Sequence, residues 1–222
     1  NYNSLAHRTT WLRSDLEKMA YNKIGKEEKC MLRKIIGHIK TITKHKWLVF
    51  KLCCRAGIPW RGFMHDWSKF SPTEFWESVK YYTGKRSPIP LAKAEKGYSK
   101  AWLHHKGRNK HHAEYWYDYE TPQKTFIMPY VYAVEMICDN LAAGITYNGK
   151  DWTKSTQLEY WETKGYKKPI HPKMAAFEKE VYTQVSKDGI HKVIQKENLK
   201  KLYQEIVEKN RLIERLNEIS KK

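Results

Sequence analysis

The sequence predicts an all-α protein, and three observations carry that prediction. Apolar residues recur at steps of three, four or seven, the spacing of one helix face; they are Met31, Ile35, Ile39, Ile42, Val49, Leu52 and Ala56. Ser71-Pro72-Thr73-Glu74 is a helix-starting capping box with proline at the first helical position. Strand signals are weak throughout the chain. We therefore expect a compact helical fold.

The same signals place the elements in order. We expect a helix over residues 11–55 with one interruption, a short helix to about Trp67, and a helix over 72–82. Residues 84–98 are rich in proline and lysine and predict a loop. Helix resumes over 99–105 and 111–117, and a further helix over 129–143 ends at Gly144. Residues 145–171 are predicted to be irregular, and the tail from 172 to 220 helical in two pieces.

The chain is expected to have three parts. Residues 1–30 form a basic N-terminal helical extension, residues 31–185 a metal-binding helical domain, and residues 186–222 a C-terminal helical tail. The composition, with 41% hydrophobic and 14% aromatic residues, is that of a globular protein and not of a disordered polymer.

The charge of the chain favours anionic partners. Its formal charge is +18, and half of that lies in residues 1–60, with 13 basic and 4 acidic side chains. Such a field attracts nucleotides, other small phosphorylated molecules, nucleic acid or an acidic membrane surface. No apolar run approaches the ~20 residues that span a bilayer. The four cysteines form no C-x-x-C pair, which favours free thiols and a cytoplasmic location.

The histidines point to a metal site. Seven of the ten lie between positions 38 and 112: His38, His45, His65, His104, His105, His111 and His112. If one helix persisted across Gly107, the seven-residue spacing would place His105 over His112 and His104 over His111. We expect His105 and His112 to be ligands, with His104 and His111 as the competing members of the two doublets.

The dipeptide His65-Asp66 supplies an imidazole and a carboxylate able to bridge two metals. Such ligands suit Mn, Fe, Ni, Co or Zn, and an oxygen-rich set shifts the preference towards Mg or Mn, so we expect one or two divalent ions. Water bound to such an ion is deprotonated near neutral pH and attacks phosphate esters. Lys69 follows three residues later and is expected to neutralise a phosphate oxygen, which makes Asp66 and Lys69 the predicted catalytic pair.

Further candidates lie on either side of the second doublet. Asp139 stands among apolar residues in the predicted helix over 129–143, where a carboxylate needs a cation or hydrogen-bond donors, and Glu135 lies one turn earlier. We expect Asp139 to be a ligand and Glu135 to be a ligand or a supporting residue. Arg108 and Lys110 are candidates for clamping phosphate, and Asn109 for orienting a ligand or water.

Three segments carry a family resemblance: "HKWLVFKLCCRAGI" from His45, "FMHDWSKF" around His65 and "VEMICDNLAA" around Asp139. They resemble the HD superfamily of metal-dependent phosphohydrolases. The resemblance implies an HD-domain-like helical bundle, here with additional N- and C-terminal helices. It implies metal ligands at His45, His65, Asp66 and Asp139, a functional lysine at Lys69, and His38 as the competitor for the first ligand position.

The segment "AWLHHKGRNKHHAEYW" resembles the added histidines of the two-metal and three-metal branch, which includes cyclic-dinucleotide phosphodiesterases. The doublets stand closer together here, and the Gly-Tyr-Pro signature of that branch is absent. Residues 35–145 also resemble an uncharacterised bacterial and phage family of unknown function.

The sequence therefore favours a metal-dependent phosphohydrolase, a phosphomonoesterase or phosphodiesterase acting on a nucleotide or other small phosphate ester. Two alternatives stay open. One is a nucleic-acid-binding protein whose histidines form a structural cluster, motivated by the basic N-terminal segment. The other is an HD-type di-iron oxygenase, because histidine and carboxylate ligands also hold iron.

Overall fold

A computed structural model describes the backbone of residues 2–209 and the side chains of residues 27–165 and 167–209. Over these residues the predicted all-α class is confirmed, with one isolated β-bridge between Tyr117 and Thr125 and no strand. The helices are α1 (Tyr2–Arg55), α2 (Pro59–Met64), α3 (Pro72–Lys80), α4 (Ile89–Lys96), α5 (Lys100–Arg108), α6 (Tyr130–Asn148), α7 (Thr156–Thr163), α8 (Pro172–Asp188), α9 (Ile190–Val193) and α10 (Lys196–Tyr203). Short 3₁₀ turns lie at Trp67–Phe70, Ala113–Trp116, Gly149–Asp151 and Gly165–Lys167, and a π-helical turn at Gln204–Glu208 follows α10.

The core lies where α1, α6, α8 and α10 meet. The C-terminal part of α1 contributes Val49 and Cys53, and α6 contributes Ile137 and Leu141, all completely buried. Phe177, Val181 and Tyr182 of α8 and Leu199 of α10 close the same apolar cluster. The helix α6 contacts both α1 and α8, and it places Asp139 beside His45 of α1 and Glu135 beside His65.

Several predicted boundaries differ from the observed ones. The helix α1 is continuous, so the predicted interruption is wrong. Residues 89–96 form α4 and not a loop, because Pro88 and Pro90 lie at its start, where proline is tolerated, and helix-forming residues follow. The region 145–171 contains the end of α6 and all of α7.

Gly144 does not end α6, which continues to Asn148. A Cβ atom at this position would lie 2.7 Å from Gln157 Oε1 and 3.2 Å from Trp152 Nε1. Glycine at this position therefore permits the close approach of Trp152 and Gln157. The glycine that predicted a helix end is instead explained by this packing.

The domain division stays a prediction. Residue 30 lies inside α1, and α9 and α10 pack on the same core as α1 and α6. Residues 210–222 of the predicted tail lie outside the described part of the chain, as do the side chains of residues 1–26. Among the described residues, no helix is both long enough and apolar enough to cross a membrane.

Candidate metal centre

Four separate elements bring the histidines and carboxylates together. His45 lies on the buried side of α1, and His65-Asp66 directly follows α2. His105 lies near the end of α5, and Asn109 ends that helix, so that His111 and His112 lie in a turn. Asp139 projects from α6. The fold therefore brings together potential metal ligands that span 95 positions of the sequence, from His45 to Asp139.

Asp66 occupies an unusual backbone position at the centre of this cluster. Its φ and ψ angles are 51° and 34°, in the left-handed region, and its side chain is 1% exposed. Aspartate tolerates this conformation better than most residues, but it still costs free energy, which surrounding contacts must offset. Such conformations concentrate at functional sites. Here the left-handed turn directs the carboxylate inwards immediately after His65.

The first group of potential ligands consists of His45, His65, Asp66 and Asp139. His45 Nε2 lies 3.0 Å from Asp139 Oδ1. His65 Nε2 lies 3.2 Å from Asp66 Oδ2 and 3.4 Å from Asp139 Oδ1. Two imidazoles and two carboxylates thus converge around one point.

The second group consists of Asp66, His105, His111 and His112. Asp66 Oδ1 lies 3.4 Å from His105 Nε2 and 3.3 Å from His111 Nε2. The two oxygens of Asp66 therefore face different groups: Oδ2 faces the first and Oδ1 the second. Asp66 would therefore offer one oxygen to a cation in each group.

The atoms that face each other are close without being hydrogen bonded. Six of them are buried and make no aligned hydrogen bond: His45 Nε2, His65 Nε2, both Asp66 oxygens, His111 Nε2 and His112 Nε2. Donor atoms bound to one ion at about 2.1 Å are about 3.0–3.4 Å apart in octahedral or tetrahedral geometry. The five distances given above within the two groups lie in this range, and His111 Nε2 and Asp139 Oδ2, which belong to different groups, are 3.8 Å apart. The residues therefore fit one or two divalent cations.

Glu135 orients His65 by a hydrogen bond and lies close to a second histidine, His111. Its Oε1 lies 3.0 Å from His65 Nδ1, with which it is hydrogen bonded, and 3.1 Å from His111 Nδ1. Its Oε2 accepts hydrogen bonds from Arg61 Nε at 2.8 Å and Nη2 at 2.5 Å. A proton on Nδ1 leaves Nε2 with a lone pair for a cation. Glu135, His65 and His111 also form a third group of potential ligands, but these hydrogen bonds favour a supporting role.

Glu74 does the same for the second group. Its Oε2 lies 2.7 Å from His105 Nδ1, and its Oε1 lies 2.6 Å from His104 Nδ1. The predicted helix start at Ser71 is confirmed, since Ser71 Oγ accepts from the backbone N–H of Glu74 at 3.4 Å. The Glu74 side chain, however, points to the histidines, a role that the capping pattern did not reveal.

The protonation states suit cation binding. Burial lowers the pKa of His45 and of His112, which keeps them neutral. Burial opposes ionisation of Asp66 and Asp139, but neighbouring histidines, and for Asp66 also Lys69, hold the pKa of each carboxyl well below its usual value. His65 differs: burial disfavours its charge, yet the carboxylates around it raise its pKa. In the metal-free cluster a proton on His65 therefore offsets negative charge that a cation would otherwise balance.

Lys69 and a cavity complete the site. Lys69 Nζ lies 2.6 Å from Asp66 Oδ2, and although burial opposes its charge, Asp66 and Asp139 raise its pKa. A cavity of about 330 Å³ opens over the cluster, within the size range of small-molecule sites. It is lined by residues of both groups, by Lys69 and, on its other walls, by Asn140, Tyr147, Tyr160 and Lys168.

The sequence-predicted residues fall into three sets. His45, His65, Asp66, His105, His112 and Asp139 come together as potential ligands, and His111 joins them. His38 lies in the cavity wall outside the ligand groups, and His104 pairs with Glu74. Arg108 and Lys110 are exposed and do not line the cavity.

Asn109 supports the cluster from outside the cavity. Its amide nitrogen donates to Ser68 Oγ at 2.8 Å and to the carbonyl oxygen of His105 at 2.9 Å. The helical alignment of His105 with His112 is not observed, because α5 passes through Gly107 but ends at Arg108.

Comparisons with known proteins name a family without an activity. No curated protein and no solved structure matches the chain. A model described as "Family of unknown function (DUF5662)" matches residues 34–184, the stretch from the middle of α1 to the last turns of α8. This agrees with the resemblance of residues 35–145 to an uncharacterised family. Because the match covers more than half of the sequence, the chain belongs to the DUF5662 family of unknown function.

Proposed function

We propose that this protein is a metal-dependent phosphohydrolase that acts on a nucleotide or another small phosphate ester. One observation carries the proposal: a single buried carboxylate, Asp66, stands between two groups of histidine and carboxylate ligands and beside a lysine. Two-ion sites with a shared carboxylate and a nearby cation suit phosphoryl transfer, in which charge develops on both the attacking and the leaving oxygen.

Each residue has a distinct part in the proposed reaction. His45, His65, Asp66 and Asp139 would hold one ion, and Asp66, His105, His111 and His112 the other. The ions would supply Lewis acidity and a water molecule that is deprotonated near neutral pH. Lys69, which lines the cavity next to Asp66, stabilises negative charge on the phosphoryl oxygens. Glu135 and Glu74 keep the histidine rings oriented.

The cavity lining also offers polar groups that are suited to the rest of the substrate. Asn140 Nδ2 donates to Glu178 Oε1 at 3.1 Å, and Lys168 Nζ lies 3.8 Å from the same oxygen. Glu178 is almost fully buried and so fixes both groups against the cavity wall. A cation and an amide in the cavity lining favour a substrate with polar groups beyond its phosphate.

The HD superfamily is the proposed structural class. Its motif order, a helical histidine, a His-Asp pair and a later helical aspartate, corresponds to His45, His65-Asp66 and Asp139. These four residues converge across α1, the end of α2 and α6. The bundle-like packing of α6 on α1 supports an HD-like fold with added terminal helices.

The test starts with elemental analysis of the purified chain, followed by a screen of phosphate mono- and diesters, nucleotides included. We expect up to two divalent ions per chain and hydrolysis that a chelator abolishes and added metal restores. Asp66→Ala should be inactive. Robust hydrolysis by the metal-free Asp66→Ala protein would refute the mechanism, and two bound irons with oxygen consumption would favour the oxygenase instead.

A further inference from the structure

The outward side of α1 carries an apolar stripe that the described part of the protein leaves uncovered. The stripe consists of Leu32, Ile36, Ile39, Trp47 and Phe50, with Thr43 between them, so each step along it is three or four residues. Leu32 and Trp47 are each 57% exposed, and Ile36 and Ile39 are 45% and 42% exposed. At the rise of an α-helix the stripe is about 27 Å long.

The stripe lies on a different side of α1 from the core. The residues of α1 that pack inwards are His38, Ile42, His45 and Val49, each buried. At 100° per residue, they centre well over 90° away from the stripe around the helix axis. The helix therefore has two apolar sides, of which the core covers one.

An aromatic groove continues the stripe towards α2. Trp47 and Phe50 of α1 face Phe63, Trp67 and Phe70 across a cavity of about 560 Å³. The rings form a connected series, with centroids 6.4 Å apart from Phe63 to Trp67 and 5.8 Å apart from Trp67 to Phe70. At its outer edge Trp60, 69% exposed, stacks on Phe63 at 5.7 Å. An apolar surface this continuous marks an interaction site.

The charge around this surface is mainly positive. Residues 27–73 contain ten lysines and arginines and three acidic residues, of which Asp66 is buried in the metal centre and Glu27 and Glu28 lie before the start of the stripe. Two of the cations lie on the aromatic rings: Lys46 Nζ is 4.9 Å from the centre of the Trp67 ring, and Lys51 Nζ is 5.8 Å from that of Trp47. The partner must therefore offer negative charge and apolar groups side by side.

We propose that the apolar stripe and the aromatic groove together bind the surface of an anionic lipid bilayer. Amphipathic helices with bulky apolar residues on one side and lysine or arginine beside them lie in the bilayer interface, and tryptophan favours that depth. The cations add attraction to acidic headgroups. A second copy of this chain would bring another strongly basic surface against the first, and its charge opposes that pairing.

The aliphatic residues separate this partner from nucleic acid. Single-stranded nucleic acid binds by stacking bases on aromatic rings and placing phosphates on cations. The groove offers both, but Leu32, Ile36 and Ile39 add exposed apolar area that cannot stack a base. A lipid bilayer would contact both the apolar stripe and the aromatic groove. The proposal does not depend on the metal centre, because His45 projects from the side of α1 that faces the core.

The experiment is co-sedimentation of the full chain with two kinds of vesicle, pure phosphatidylcholine and an equal mixture of phosphatidylcholine and phosphatidylserine. We expect binding to the acidic vesicles, little binding to the neutral ones, and loss of binding in high salt. Ile36→Ser/Ile39→Ser should weaken binding at least about tenfold. The matched control is Leu103→Ser/Tyr119→Ser, two similarly exposed apolar positions outside the surface, which should bind as the unaltered chain does. Thermal melts should confirm that both variants fold.

Three results would overturn the proposal. One is equal weakening by both double substitutions, or none by either. Another is tight binding to a single-stranded oligonucleotide that Trp60→Ala abolishes, with no retention on acidic vesicles. The last is a dimer in light scattering that the Ile36→Ser/Ile39→Ser change dissociates, again without lipid binding. If both variants unfold, Lys40→Glu/Lys44→Glu provides the same comparison through charge, and unchanged vesicle binding by that variant also counts against lipid recognition.

Discussion

Replacement of Asp66 by asparagine is the sharpest perturbation of the metal centre. Asparagine has nearly the same size and also tolerates the left-handed backbone found at this position, so the fold should be retained. The carboxylate, however, supplies one of four potential ligands to each of two groups. One substitution should therefore weaken both ion sites, whereas each histidine belongs to only one of the two groups.

The size of the effect can be worked out from linkage. A bound ion at 100 times its Kd stabilises the folded state by about 2.7 kcal/mol. If loss of the carboxylate weakens binding about a hundredfold, the same ion concentration gives only about 0.4 kcal/mol. The difference of about 2.3 kcal/mol corresponds to about 5–9 °C in Tm for a chain of this size.

Thermal melts with chelator and with each of Mn, Fe, Co, Ni, Zn and Mg measure this difference directly. The unaltered chain should show a metal-dependent rise in Tm, and Asp66→Asn should lose most of it. Asp151→Asn is the matched control, because Asp151 is exposed and lies outside the ligand groups. An equal rise in the Asp66→Asn protein, or no rise in the unaltered chain with any of these ions, would refute the reasoning.

Three further predictions test neighbouring parts of the structure. Lys69→Ala should keep its metal, measured by elemental analysis, but lose about 10²–10³-fold in kcat; a parallel loss of metal would instead make Lys69 a structural partner. Glu135→Gln should bind metal about 10–100-fold more weakly by titration. In chelator-treated protein, burial opposes ionisation of Glu135, but its histidine partners outweigh this and lower its pKa from 4.5 to about 2. Because the folded pKa is the lower one, Glu135 stabilises the fold above about pH 4.5 and that stability disappears as the pH falls towards 2, so Glu135→Gln should flatten this part of the curve. Gly144→Ala should destabilise by about 1–3 kcal/mol, since its Cβ meets Gln157, whereas Gly107→Ala has open space and should be neutral or slightly stabilising in denaturant melts; equal effects would contradict the close packing.

The ligands that local patterns predict best are those on regular elements. His45 and Asp139 lie on helices whose apolar spacing identifies the buried side, and His65-Asp66 follows a short helix. The ligands in the two histidine doublets, 104–105 and 111–112, are harder to predict from the sequence. Adjacent residues on a helix point about 100° apart, so a helical doublet offers one inward member. Because α5 ends at Arg108, His111 and His112 lie in a turn and both reach the cluster, which helical spacing could not indicate.

The supporting residues could not be found from local sequence, because their partners are distant in the chain. Glu135 contacts Arg61, 74 positions away, and Glu74 contacts His105, 31 positions away. The local sequence already explains each residue without a distant partner: Glu74 completes a capping pattern, and Arg61 is one of many cations in a basic chain. Only the packing of α3 against α5, and of α2 against α6, reveals the pairs.

The energetics of the buried cluster also bear on the alternative that its histidines are merely structural. A structural cluster should satisfy its own polar atoms, because a buried donor or acceptor without a partner costs about 1–3 kcal/mol. The centre instead leaves both Asp66 oxygens, His65 Nε2 and both ring nitrogens of His111 without aligned hydrogen bonds. Glu135 and Glu74 satisfy Nδ1 of His65 and of His105, respectively. It also holds Asp66 in a left-handed backbone conformation. Without a cation, Lys69 and a proton on His65 balance part of the carboxylate charge, but Nε2 of His45, His111 and His112 still lack aligned partners. A bound cation would satisfy these nitrogen atoms and the carboxylates together.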